Sequence, residues 1–191
     1  MKCLRRKSRL KKGLIIIDFD GTLYNTRIAN CLAYVEALRE YGYILDKKLF
    51  YESYSGMYYL DFLPEIVNSM STVEKVHEKK VEIYNKYYDI IAENVILYDF
   101  LKGIKNDYYL VLLTNASRKN CLEVLKYFDK DNFFDDIVTG DDVEKRKPHN
   151  EGINKIIQKY KVPLENILLI EDDIRNVNIP EIKSLVLNNY E

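Results

Sequence analysis

Five short runs rich in apolar and β-branched residues, separated by helix-length stretches, constrain this 191-residue chain more than any other feature. They are Leu14–Ile17, Tyr108–Thr114, Asp136–Thr139, Ile167–Ile170 and Ser184–Leu187. A short run that is apolar at successive positions reads as a strand buried on both faces, as in a parallel sheet. Between the later runs, Tyr98–Ile104, Lys119–Phe128 and Asn150–Tyr160 have helical character. This alternation predicts an α/β fold, a Rossmann-like parallel sheet of about five strands with helices on both faces. Ligands of such sheets bind beyond the carboxyl ends of the strands.

The stretch 25–94 breaks the alternation. Leu32, Val35 and Leu38, then Leu60, Leu63 and Val67, then Val76, Ile83, Tyr87 and Ile90 recur at helical spacing. Gly42 and Gly56 punctuate helix ends, and Pro64 fits a first turn or a break. No strand is expected there. The organisation predicted is a basic arm over 1–12, an α/β core over 13–24 and 95–191, and an inserted all-α domain over 25–94.

Composition narrows the classes. No apolar run approaches the roughly 20 residues of a membrane span. With 7 Gly, 4 Pro and 17 Tyr, collagen-like and disordered readings fail. Three distant cysteines, Cys3, Cys31 and Cys121, give neither a disulfide framework nor a metal knuckle. No secretory signal is read at the start, so a reducing, cytoplasmic location is expected. The first 12 residues hold seven Lys and Arg and no acid, and without them the net charge moves from -1 to -8 (22 basic against 30 acidic). Such an arm suits an anionic surface or nucleic acid, but it lacks interleaved aromatics and reads first as a solubilising terminus.

Polar residues gather where the strand-end rule expects them. Asp18, Asp20, Gly21 and Thr22 follow the first run, Thr114 and Asn115 stand at the end of the second, and Glu171, Asp172 and Asp173 follow the fourth. Lys147 lies in the loop before the helix that precedes the fourth. Carboxylates with a lysine, a hydroxyl and turn amides suit a divalent cation and a phosphoryl group, and hard oxygen donors favour Mg²⁺. The lysine and the backbone N–H groups of Gly21, Thr22 and Asn115 are suited to phosphate oxygens. One aspartate can attack phosphorus while the other manages the proton.

Asp18-Phe19-Asp20-Gly21-Thr22-Leu23 resembles the first motif of the haloacid dehalogenase superfamily. Leu113-Thr114-Asn115, Lys147-Pro148 and Ile170-Glu171-Asp172-Asp173 are similar to its second, third and fourth motifs, in order. The fourth has the form found in the beta-phosphoglucomutase-like and phosphoglycolate-phosphatase-like branch, with Asn176 where a further acid often stands. The resemblance implies a Mg²⁺-dependent phosphatase of small phosphorylated metabolites. By it, Asp18 forms the aspartyl-phosphate and Asp20 is the general acid and base. Asp18, the Asp20 carbonyl and Asp172 hold Mg²⁺, with Glu171 direct or through water, while Thr114 and Lys147 orient phosphate. The insert resembles the family's helical cap domain, which closes over the site and selects substrate.

Plainer readings stand beside these. Asp141, Asp142 and Asp173 read as caps and turn formers. His77 and His149, without partner spacing, read as surface residues. Tyr54, Tyr58 and Tyr59 read mainly as packing, with one or two of them touching substrate. Lys145 and Arg146 are near alternatives to Lys147 for the cationic role. Asn115-Ala116-Ser117 is a chance sequon. A phosphomutase of the same fold is the nearest rival, and a non-catalytic nucleic-acid binder using the basic arm is a different class, with nucleic acid disfavoured. A signalling receiver disagrees in the order of its acids, and a P-loop enzyme lacks its Gly-Lys pair. Monomer and dimer stay open.

Overall fold

The computed structural model describes residues 11–187. The chain enters at β1 (Gly13–Ile17), then forms β2 (Tyr24–Asn25), α1 (Arg27–Glu40), α2 (Lys47–Leu49), α3 (Tyr59–Ile66) and α4 (Met70–Ile83). It returns through β3 (Ala92–Glu93) to α5 (Val95–Ile104), β4 (Tyr108–Leu113), α6 (Arg118–Tyr127), β5 (Asp136–Val138), α7 (Glu151–Tyr160), β6 (Ile167–Glu171) and β7 (Lys183–Val186). One parallel sheet has the order β5-β4-β1-β6-β7, so β1 is central.

Side-chain alternation explains why β1 and β4 are apolar throughout. Ile15, Ile17, Leu110, Leu112 and Ile170 face one hydrophobic cluster with Leu97 and Leu101 of α5 and Val124 and Leu125 of α6. Leu14, Ile16, Val111, Leu113 and Leu169 face the other with Ile153 and Ile156 of α7. Each such side chain fully buried contributes about 1.5–3 kcal/mol before entropy is counted. The central strands can therefore end in polar residues without endangering the sheet.

The insert has its own core, with Cys31, Tyr34 and Leu38 of α1 against Phe62, Leu63, Val73, Val76 and Ile83. Helix α1 is buried on two sides, because Ala29 and Ala33 join the cluster under the sheet. This corrects the expected stripe. Leu38 is fully buried, but Leu32 and Val35 are only half-buried, since the small alanines take the core-facing positions. The alanines permit close approach.

Three further corrections concern the insert. Its two ends pair as strands, Tyr24 with Glu93 and Asn25 with Ala92, antiparallel, where no strand was expected. Two-residue strands are too short for any periodic signal. Pro64 lies inside α3 beyond its first turn, and the helix stops two residues later at Ile66. The segments Phe50–Tyr54 and Tyr84–Ile90 wind as π and 3-10 helix rather than α.

Of the basic arm, residues 1–10 lie outside the described residues. Lys11 and Lys12 pair with Asp135 and Asp107, each at 2.7 Å. Among the described residues no helix is long and apolar enough to cross a membrane.

Candidate active site

Asp18 continues the β1 ladder by donating its N–H to the Ile170 carbonyl at 2.9 Å. Its side chain thus stands beside the end of β6, where Glu171 is fully buried. The chain then reverses at Gly21, whose φ is +94°. A Cβ here would lie 2.0 Å from Oδ2 of Asp172, so glycine is needed both for its backbone and for the approach of that carboxylate. Gly21→Ala is expected to destabilise the protein by about 1–3 kcal/mol and to impair the site, as read by thermal melts and Mg²⁺ titration. A variant with wild-type melting and cation response would contradict the close packing.

The third element is the loop before α7. Asn115, at the end of β4, grips it. Its amide donates to the Lys147 carbonyl at 2.9 Å and accepts from the Lys147 N–H at 2.8 Å. Lys147 then reaches into the cluster, its Nζ 2.5 Å from both Asp18 Oδ1 and Glu171 Oε1. Of the three neighbouring cations in this loop, Lys147 is the one that contacts Asp18.

Glu171 is saturated. Its Oε1 also accepts from Asn176 Nδ2 at 2.9 Å, and its Oε2 accepts from the N–H groups of Asp172 and Asp173 at 3.0 and 3.1 Å. Asp18 is different: its Oδ2 is buried and has no hydrogen-bond partner among the described residues. Asp18, Glu171 and Asp172 each offer an oxygen within 4.8 Å of the others, a hard-oxygen set of the kind a Mg²⁺ ion takes.

Electrostatics follow from burial. It pushes the Asp18 carboxyl up to about 7 although Lys147 opposes it. Burial, with the charges of Asp18 and Glu171, pushes Asp172 up to about 8. Burial also works against the Lys147 charge, but Asp18 and Glu171 outweigh it and hold the ammonium above its ordinary range. A cation bound among the carboxylates would reverse the shifts of the acids.

Asp20 stands apart from this set. Its Oδ1 accepts from Thr26 at 2.5 Å and its Oδ2 from Thr114 at 3.4 Å. Thr26 begins the insert, so it ties the core aspartate to the entry of α1. Asp18, Asp20, Gly21, Thr114, Asn115, Lys147 and Asp172 all line one cavity of about 590 Å³ between the strand ends and the insert. Thr22 does not. Its side chain is buried, and its carbonyl accepts from Asn94 instead. The Gly21 N–H, expected on phosphate, donates within the turn to the Tyr24 carbonyl at 2.8 Å.

Several residues were misjudged or missed. His77 is not at the surface. It lines the cavity, stacked on Tyr59 with ring centres 3.7 Å apart, and burial lowers it to about 4. Tyr54, Tyr58 and Tyr59 line the same cavity as well as packing. Lys80 is buried there with its ammonium 3.9 Å from the Tyr84 ring centre. A single lysine on a long amphipathic helix carries no sequence signal for this. Asp142 does form the expected cap, accepting from the Thr139 N–H and hydroxyl at 2.7 Å. Asp173 accepts from the Arg175 N–H at 2.9 Å, as a turn former would. His149 is exposed.

Known proteins resemble this chain in sequence and in fold. A family model described as haloacid dehalogenase-like hydrolase matches residues 15–179. Pyrophosphatase PpaX of Bacillus cereus is 28% identical over 180 residues, spanning 88% of this chain and 78% of that protein. Beta-phosphoglucomutase of Clostridium difficile shares the fold at a TM-score of 0.74 and 24% identity, covering 93% of this chain and 85% of its own. CbbY of Rhodobacter sphaeroides, solved in complex with phosphate, gives 0.71 at 20% identity over 86% and 80%.

Proposed function

This chain belongs to the haloacid dehalogenase-like hydrolase family and is a phosphohydrolase, and from that premise we propose that it hydrolyses a small phosphate monoester with Mg²⁺ through an aspartyl-phosphate on Asp18. The observation that carries the reading is the orphaned Oδ2 of Asp18, buried at the cavity floor beside Lys147. An oxygen held without a hydrogen bond is a ready nucleophile. Its partner oxygen is fixed by the lysine, which sets the line of attack.

Asp18 and Asp172 would hold the Mg²⁺, with the Asp20 carbonyl. Glu171, whose two oxygens already take four donors, would act through water or by orienting its neighbours. When bound, the cation would offset repulsion between the Asp18 carboxylate and a phosphate dianion. Lys147 orients the phosphoryl group and balances its charge. Thr114 lies at the same strand end to contact a phosphoryl oxygen. Asp20, within the same cavity, donates a proton to the leaving oxygen and later takes one from water. The bond from phosphorus to the leaving oxygen breaks as the bond to Asp18 forms, and water then returns the carboxylate.

The insert over 25–94 acts as a cap, and its aromatic lining selects the leaving group. The buried free cysteines Cys31 and Cys121 fit a reducing cytoplasm. The expected result is phosphate release from para-nitrophenyl phosphate with Mg²⁺ and none with excess chelator. Turnover undiminished by chelator would remove the cation from the reading. A phosphomutase would instead need a sugar bisphosphate for turnover, and release of inorganic phosphate without one decides against it.

A further inference from the structure

The cations lining the cavity are unequally matched. Lys147 is paired with Asp18 and Glu171, and Arg175 with Asp173. Arg146 donates no hydrogen bond among the described residues. Its Nε is buried without an acceptor. The carboxylate it approaches, Asp141, is 3.7 Å from Nη2, beyond hydrogen-bond length. Its guanidinium carbon lies instead 4.0 Å from the ring centre of Tyr58.

That contact has two consequences. Tyr58 belongs to the insert and Arg146 to the core loop that carries Lys147, so the contact roofs the cavity from both sides. A cation over a ring is not a hydrogen bond, so the contact with Tyr58 leaves the guanidinium N–H groups unspent. The group is also fixed from below. A Cβ on Gly140 would sit 2.6 Å from Arg146 Nε. The Arg146 charge is felt by His77 across the cap side of the cavity, where it acts with burial and Lys80 to lower the imidazole. The guanidinium stands against Tyr58 of the insert, on the cap side of the cavity, where a leaving group would lie.

We infer that Arg146 is a specificity residue that binds a second anionic group on the substrate, a carboxylate or a second phosphoryl group carried by the same molecule. The inference takes the site of the first phosphate from the proposed function and the site of the second anion from Arg146 itself. A planar guanidinium that donates no hydrogen bond within the protein gains a charge-assisted pair from such a group through its exposed part. Lys80, buried and with Asp20 as the acid that acts on its charge, adds positive potential from the insert.

The test is calorimetric binding of three inert probes with Mg²⁺ present, so that it does not depend on turnover. Methylphosphonate carries one anionic group, phosphonopropionate adds a carboxylate, and propylene diphosphonate adds a second phosphonate. Wild type is expected to bind at least one of the latter two about tenfold or more tightly than methylphosphonate. Which one it favours tells the carboxylate from the phosphoryl source. In Arg146→Gln that advantage should disappear, and in Arg146→Lys it should return only in part, because an ammonium lacks the fork. Damage to folding or to Lys147 would weaken all three probes alike and leave the ratio unmoved. An unchanged ratio in Arg146→Gln, or no ratio in wild type, overturns the inference. Failure of wild type to release phosphate from para-nitrophenyl phosphate would instead overturn the phosphatase reading and leave the binding ratio to decide on Arg146.

Discussion

Asp18→Asn is expected to lower phosphate release by at least roughly 10³-fold while leaving the protein folded. The two side chains have nearly the same shape, so the buried site keeps its packing. What changes is the atom at the cavity floor. Oδ2 of Asp18 is buried and unbonded, whereas the substituted amide carries hydrogens and has no negative charge to place on phosphorus. Oδ1 remains able to accept from Lys147, which stands 2.5 Å away in the parent. The loss should therefore fall on kcat rather than on the melting temperature. Acid-quenched wild type should carry label from a phosphorus-labelled substrate, and the variant should not. Full turnover by Asp18→Asn would end the assignment of this residue as nucleophile.

Lys147→Met should destabilise the metal-free protein by about 3–5 kcal/mol, the range for removing one partner of a buried ion pair. Both its partners are shielded, with side-chain exposures of 6% for Asp18 and 0% for Glu171. Methionine fills the volume but leaves two carboxylates facing a third, Asp172, with no counter-charge. Mg²⁺ offers a replacement charge. Its addition should raise the melting temperature of the variant more than that of wild type, by mass action on the folded state. Phosphatase activity should stay low even then, because the cation cannot also supply the lysine's contact with the phosphoryl group. Equal melting of variant and parent in chelator would show that the lysine is not what neutralises this cluster.

The strands were legible because their burial on both faces writes an uninterrupted apolar signal, as in Leu14–Ile17 at the centre of the sheet. The acids at the strand ends were legible for the same reason, since a parallel sheet brings the residues that follow its strands to one edge. Thr22 was not. It adjoins Gly21 in sequence, but the turn points its side chain into the core instead of the cavity. His77 and Lys80 were missed because a helix with core contacts at Val73, Val76 and Ile83 gives no hint of which neighbours face a cavity. That depends on where the whole insert docks.

By itself, then, the sequence determined the sheet, the helical insert and the order in which Asp18, Thr114, Lys147 and Glu171 arrive, because these are written in local spacing. The tertiary structure alone decided that both oxygens of Glu171 are occupied, that Asp18 keeps one oxygen unbonded, and that Arg146 faces Tyr58 with its N–H groups unspent. Such matters are settled by distances of a few ångströms between side chains, some of them far apart in the chain, such as Asp18 and Lys147, and no local pattern of residues encodes a distance.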